Sequence, residues 1–348
     1  MSKSRVEFRS DNCGRAAPEL IEALVAANTD NELGYGGDAL TATLQTRFSE
    51  LFEASVRVFP VPTGTAANAL ALAAAATPFG AVYCSPEAHI HTSECNAAGF
   101  FGGGTKLVPI DGPHGKVSPE ALELAIAAAG KGLAHKSQPA AVNLVQATDR
   151  GAVYSVDEIA AVSQVAHAHG LRVHMDGARF ANAIARLGCT PAQATWRAGV
   201  DILSFGVTKN GGLLTDAIVD FAPESATDIG FHLRRAGAVS SKMRFASAQI
   251  LAYVADDLWL RLARQANAAA TRIAGQLESV AGVTIIAPVQ ANELFVDMDP
   301  ATLAGLDEDG ILFYRRGPRL ARFVCRWDTG EDDVAALVGS IVRHSAAS

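Results

Sequence analysis

Charge is scarce in this chain of 348 residues, and what there is leans acidic. Lysine and arginine number 29 against 36 aspartates and glutamates, charged residues make up 19%, and the net charge is −7. No basic run occurs, which excludes a sequence-independent nucleic-acid binder, since such a protein needs a cationic face. Cysteine is sparse as well. Cys13, Cys84, Cys95, Cys189 and Cys325 are odd in number, scattered, and form no CxxC pair. That argues against a disulfide framework and for free thiols in a reducing compartment. Long apolar runs are missing: the longest, Ala69–Ala76, falls far short of the ~20 residues of a membrane span. The opening MSKSRVEFRSDN lacks the apolar stretch of a signal peptide. A cytoplasmic protein without nucleic-acid or membrane partners is therefore expected. Apolar residues, by contrast, reach 49%, enough for a large core and too many for disorder. At roughly 150 residues per domain the length suggests about two domains.

The local patterns alternate between helix and buried strand. Ser118-Pro119-Glu120 opens an alanine-rich run ending at Gly130, a cap followed by proline in the first turn and a glycine stop. Ala141–Thr148 is short and β-branched, a strand. Ser155 and Glu158 have the spacing of a capping box. Leu171–Asp176 and Val200–Phe205 read as further strands. This alternation predicts an α/β protein with a mostly parallel sheet covered on both faces, whose ligands sit beyond the carboxyl ends of the strands. From about residue 246 the texture changes: a long helical stretch, Ala246–Val280, broken once, precedes three strand-like segments. The expected organisation is a large domain over 1–245, with an N-terminal arm over 1–13, and a smaller α+β domain over 246–348.

Four features could carry chemistry. Lysine occurs seven times, and only Lys209, in SFGVTKNGG, follows the end of a buried strand. A lysine so placed, among small residues, suits an imine-forming nucleophile. Asp176 closes LRVHMD, where a carboxylate either caps the next helix or holds a proton on an aromatic nitrogen. Pro62-Thr63-Gly64-Thr65 joins a strand to an alanine-rich helix, an anion site by geometry. It is not a P-loop, for no lysine follows Gly64, and Gly102–Gly104 makes no GxGxxG. Finally EAHIHTSEC offers His89, His91, Glu94 and Cys95. These are all metal-ligand types, yet on a strand His89 and His91 would share a face and Glu94 would point away. No metal is expected; an imidazole lying flat on a planar ring, with a carboxylate partner nearby, fits the other three features better.

Together these describe a pyridoxal-phosphate enzyme, and the chain resembles the low-specificity L-threonine aldolases of the β-eliminating lyase group. The resemblance runs through FRSDN, GYGGDALTATL, PTGTAAN, EAHIHTSEC, MDGARF, SFGVTKNGG, KMRFASAQ and LARFVCRWDT in order. It implies the aspartate-aminotransferase-like fold, called fold type I, and assigns roles. Lys209 bonds pyridoxal 5'-phosphate, Asp176 pairs with its ring nitrogen, Gly64 and Thr65 bind its phosphate, and His89 stacks on the ring. Ser204 and Lys242 are further cofactor contacts. Ser10, Arg179 and Arg322 hold the substrate carboxylate, and His135 stands near the substrate hydroxyl, sharing with His89 the role of base. Tyr35 and Lys242 fall where the family reaches across a subunit interface, implying a homo-oligomer, a tetramer built from dimers. The implied reaction cleaves L-threonine, L-allo-threonine and related β-hydroxy-α-amino acids to glycine and an aldehyde. Alternatives are a phenylserine-preferring aldolase and another fold-type-I lyase or aminotransferase. From other classes come a non-catalytic binding protein and a metal hydrolase on His89, His91 and Glu94.

Overall fold

The computed structural model describes residues 5–222 and 228–345. Its helices begin where the hydrogen-bonding chemistry of the sequence requires. Thr63 caps Gly64–Ala75, its Oγ1 accepting from Ala66 N at 3.1 Å, and alanine continues the helix at little entropic cost. Ser118 caps Pro119–Ala128. The Ser155–Glu158 box closes ahead of Val156–Ala168: Glu158 N donates to Ser155 Oγ at 3.1 Å, and Ser155 N to Glu158 Oε2 at 2.7 Å.

Seven strands form the main sheet: β1 (Arg57–Val61), β2 (Gly80–Cys84), β3 (Lys106–Pro109), β4 (Gln138–Val145), β5 (Arg172–Gly177), β6 (Ile202–Phe205) and β7 (Asp216–Asp220). Their spatial order is β1-β7-β6-β5-β4-β2-β3, and only β7 runs antiparallel to its neighbours. Every residue of β2, β6 and β7 is buried, as in a sheet covered on both faces. The α/β, mostly parallel architecture is thus the one expected. Register sets Asp176 beside Val145 on one side and Ser204 on the other. The carboxyl ends of β4, β5 and β6 therefore meet along one edge.

Two local expectations need correction. The strand expected over Ala141–Thr148 is β4, Gln138–Val145: Gln146 N still donates to the Asp176 carbonyl, but the Gln146 side chain and Thr148 N bond to the returning chain at Tyr154 and Ala152. His89–Thr92 is a single helical turn rather than a strand, so His89 and His91 project in different directions.

The long helical stretch is Arg244–Val254 and Leu258–Leu277, broken at Ala255–Asp257, where Asp256 and Asp257 take φ of 49° and 53°. Tyr253, Trp259 and Leu262 join the core beneath the main sheet, where Trp259 stacks on Phe180 with centroids 6.2 Å apart. From Ala269 onward the same helix faces a second core with Leu294, Phe323 and Leu337. That core underlies a four-stranded antiparallel sheet of Thr284–Ile285, Glu293–Asp297, Tyr314–Arg315 and Leu320–Val324. The arm is tied to it by pairing of Val6–Glu7 with Ile311–Leu312 and by burial of Phe8. Of the expected 1–13 arm, the first four residues lie outside the described ones.

Candidate active site

After β6 the chain turns past Ala178 so closely that a Cβ on Gly206 would stand 2.4 Å from the Ala178 carbonyl oxygen, which only glycine permits. One 3-10 turn, Thr208–Asn210, then presents Lys209. The turn is gripped from both sides. Asp216 Oδ1 accepts from Val207 N at 2.7 Å and Thr208 N at 3.0 Å. Asn210 Nδ2 donates to Tyr253 Oη at 2.7 Å and to the Trp259 carbonyl at 2.9 Å. Lys209 itself forms no hydrogen bond or ion pair among the described residues. It opens into a cavity of about 300 Å³ at the carboxyl ends of the strands, together with Gly64, Thr65, His89, Asp176 and Ser204.

A chain of polar contacts crosses this cavity. Asp176, buried, accepts from Ala178 N at 3.0 Å and from Asn68 Nδ2 at 2.8 Å. The same Asn68 nitrogen donates to Glu94 Oε1 at 3.0 Å, and that oxygen lies 2.8 Å from His89 Nδ1. The Glu94 bond raises the pKa of His89, against the opposing effects of burial and of Lys209. Ser204 Oγ is 3.0 Å from Nε2 of His174, and Asn143 Nδ2 is 2.8 Å from its Nδ1. Burial pushes His174 down to about 4. It is neutral, and with Asn143 donating to Nδ1, Nε2 donates to Ser204.

Arg179 and Arg322 do not line the cavity; they form a pair outside it, and Arg179 follows the lining residue Ala178 in the chain, as its partner Asp11 precedes the lining residue Asn12. Arg179 Nε donates to Asp11 Oδ2 at 2.7 Å and its Nη2 to Asp11 Oδ1 at 3.0 Å. Its Nη2 and that of Arg322 both meet one oxygen, Glu293 Oε1, at 2.8 and 2.7 Å. Burial opposes ionisation of Asp11 and Glu293, but the arginines outweigh it and hold both pKa values low. The Nη1 groups of both guanidiniums make no hydrogen bond among the described residues. Arg319 and Arg326 are engaged elsewhere, with Asp297 and Asp328 respectively. Asp149, just past the end of β4, is pushed up to about 6, chiefly by burial and then by Asp176 and Glu293.

Some expected residues are placed apart from this cavity. His135 is exposed and precedes the amino end of β4. The cavity of its own chain lies at the other end of that strand, roughly 20 Å away at about 3.3 Å per residue, so within one chain His135 stands apart from it. Lys242 is exposed and outside the cavity wall. Tyr35, 58% exposed, lies next to it: Tyr35 N donates to the Ser241 carbonyl at 3.0 Å. Ser10 caps the turn Asp11–Cys13, accepting from Asn12 N at 3.2 Å. It supports Asp11, and Asn12 is the arm residue that lines the cavity. Asn68, Asp216, Asp11 and Glu293 received no role from the sequence. Asn68 stands alone among alanines and Asp216 and Glu293 open apolar runs, a contrast that offered some signal; Asp11, among Arg9, Ser10 and Asn12, offered none.

The beta-eliminating lyase family model matches residues 7–301. A low specificity L-threonine aldolase of Pseudomonas sp. (strain NCIMB 10558) is 40% identical over 343 residues, with 98% of each chain covered. Its counterpart in Pseudomonas aeruginosa is 41% identical over 98% of each chain. Among solved structures, the threonine aldolase of Leishmania major superposes with a TM-score of 0.90 at 25% identity, covering 98% of this chain and 99% of that one. On these matches, and with Lys209, Asp176 and the capped helix in one cavity, the chain belongs to the beta-eliminating lyase family, among its low-specificity L-threonine aldolases.

Proposed function

We propose that this chain is a pyridoxal-phosphate-dependent aldehyde-lyase, cleaving L-threonine, L-allo-threonine and related β-hydroxy-α-amino acids to glycine and an aldehyde. The observation that carries the reading is the convergence, in one cavity, of an unpaired lysine, a buried strand-end carboxylate and the start of a twelve-residue helix. The residues suit the cofactor. Asn68 Oδ1 and Glu94 Oε2 are buried without partners, so the cavity has spare acceptors. The amides at Gly64 and Thr65 sit at the positive end of the helix, where a phosphate is favoured.

When bound, pyridoxal phosphate supplies the electron sink that makes bond cleavage at Cα feasible. Lys209 would hold it covalently and give way to the amino group of the substrate. Asp176, fixed by Asn68 and Ala178, would keep a proton on the ring nitrogen. The free Nη1 donors of Arg179 and Arg322 would bind the substrate carboxylate and so orient the bond to be broken. His89, held by Glu94, would accept the β-hydroxyl proton, directly or through one water. Ser204, supplied with a proton by His174, can donate its own hydroxyl proton into the cavity.

Leu214, 78% exposed while lining the cavity, and Tyr35 beside Lys242 support a homo-oligomer, a tetramer of dimers, in which a neighbour covers the cavity mouth. The test is the absorbance spectrum of the purified protein followed by an aldehyde-release assay. A yellow protein that converts threonine to glycine and acetaldehyde, with no keto-acid acceptor, is expected. A colourless protein, or turnover that requires a keto acid, refutes the reading.

A further inference from the structure

One buried carboxyl group of the cavity has no part in that chemistry. Asp216, 7% exposed, opens β7 opposite Val61 of β1, and its two oxygens face different ways. Oδ1 takes the amides of Val207 and Thr208 and thereby fixes the turn bearing Lys209. Oδ2 has no hydrogen bond among the described residues and faces the start of the Gly64–Ala75 helix: a Cβ built on Gly64 stands 3.8 Å from it. Asp216, Gly64 and Thr65 line the same cavity. An anion drawn to the helix start therefore meets this oxygen. Ionised, the carboxyl group would repel a phosphate oxygen; neutral, it would donate to one.

Burial favours the neutral form, raising the pKa of Asp216 against the two amide bonds and Lys209, which lower it. The titratable groups facing it are Lys209 from its own loop, Asp176 from the end of β5, which raises it further, and the buried Tyr253 of the helix Arg244–Val254, whose own pKa burial and Asp216 raise. Val61 of β1 and Gly64 and Thr65 of the helix carry no charge.

On the reading of the cavity as a pyridoxal-phosphate site, we propose that Asp216 is a phosphate ligand in its acid form. Its Oδ2–H donates to a phosphate oxygen while Oδ1 continues to hold the Lys209 turn. One proton is then taken up with the ligand whenever Asp216 is ionised in the free protein. The donated bond raises the pKa on binding. Its contribution is complete below the pKa of the free protein and is lost as pH rises through that of the loaded one. Between the two, Kd rises up to about tenfold per pH unit.

The probe is pyridoxine 5'-phosphate, which carries the phosphate but cannot bond to lysine, titrated into apoprotein from pH 6 to 9. Asparagine mimics the neutral acid, its carbonyl accepting the two amides and its NH2 donating to phosphate. At pH 6, Asp216→Asn is expected to bind within about threefold of wild type, and Asp216→Ala at least tenfold more weakly. As pH rises, wild type should lose affinity relative to Asp216→Asn. The ligand's own phosphate ionisation, near pH 6, is common to all three proteins and cancels. Calorimetry of wild type and Asp216→Asn in buffers of different ionisation enthalpy reads the extra proton taken up by the wild type. Identical pH dependence in wild type and Asp216→Asn, absence of extra proton uptake, or a tenfold loss in Asp216→Asn at pH 6 overturns the proposal. A wild type that binds neither this probe nor pyridoxal phosphate, judged by its visible absorbance, overturns the cofactor reading itself.

Discussion

The arginine pair makes a prediction that runs against simple intuition about removing a buried charge. Glu293 Oε1 accepts from Arg322 Nη2 at 2.7 Å and pairs at 2.8 Å with Arg179 Nη2, while Oε2 has only a 3.4 Å contact with Arg322 Nε. In Glu293→Gln the amide oxygen can keep the bond from Arg322, and Arg179 stays held by its two bonds to Asp11, so the guanidiniums stay aimed. What disappears is a negative charge. Together with Asp11, Glu293 balances the two arginines, and an arriving substrate carboxylate leaves the cluster net negative. Two carboxylates sharing a guanidinium lie roughly 5–6 Å apart, a repulsion of about 3 kcal/mol at an effective dielectric of about 20. Relaxation and water take back part of this, so KM for threonine should fall about tenfold. Stability should move the other way. The one charge-assisted hydrogen bond, from Arg322 Nη2, becomes a neutral-acceptor bond weaker by about 1 kcal/mol, the ion pair with Arg179 is lost, and Tm should drop. Steady-state kinetics on threonine and on an amino alcohol lacking the carboxylate, alongside a melting curve, check both limbs. A raised KM on threonine, with the amino alcohol unaffected, would refute the charge argument and make Glu293 a positioning residue whose ionised form is required.

The remaining predictions are more direct. Lys209→Ala should stay folded but lose the visible absorbance of bound cofactor and almost all turnover; aldolysis at the wild-type rate would point to another lysine. Arg322→Lys should still bind pyridoxal phosphate but lose ten- to hundredfold in kcat/KM on threonine, since a bond to a charged group is worth roughly 1.5–3 kcal/mol; an equal loss on an amino alcohol would show that it supports the fold instead. Glu94→Gln removes the main cause of the raised His89 pKa. Because a base must be neutral to act, the acidic limb of the kcat/KM profile should move to lower pH, and an unmoved limb would free His89 of that role. Sedimentation should show an oligomer at assay concentration; a fully active monomer would sink the shared-site arrangement.

The parts of the fold set by local chemistry were legible in the sequence. Caps at Ser118 and Ser155 rest on bonds within a few residues, and the buried strands around Asp176 and Ser204 show as short apolar runs. The position of Lys209 and Asp176 at one cavity was legible because Asp176 lies in an apolar strand and Lys209 follows the next one by a short turn, and the sheet brings such ends together. That His135 stands away from its own chain's cavity was not legible, since nothing local to GLAHKSQP says which end of the sheet it occupies. That depends on β4 starting after it and running away from it.

What the sequence could not display is a pairing made only by tertiary structure. Asp11 reaches Arg179 from the arm, and Glu293 reaches it from the second sheet. Neither spacing carries a periodic signal. On the function proposed above the consequence is chemical: both arginines would meet the substrate carboxylate already neutralised and held, oriented before it arrives. A preset guanidinium spends less entropy on binding than a free one, but it offers less net charge. Affinity for the carboxylate then rests on bond geometry more than on attraction. That is the arrangement expected of a site that must turn the Cα–Cβ bond to a set angle while accepting many side chains at Cβ.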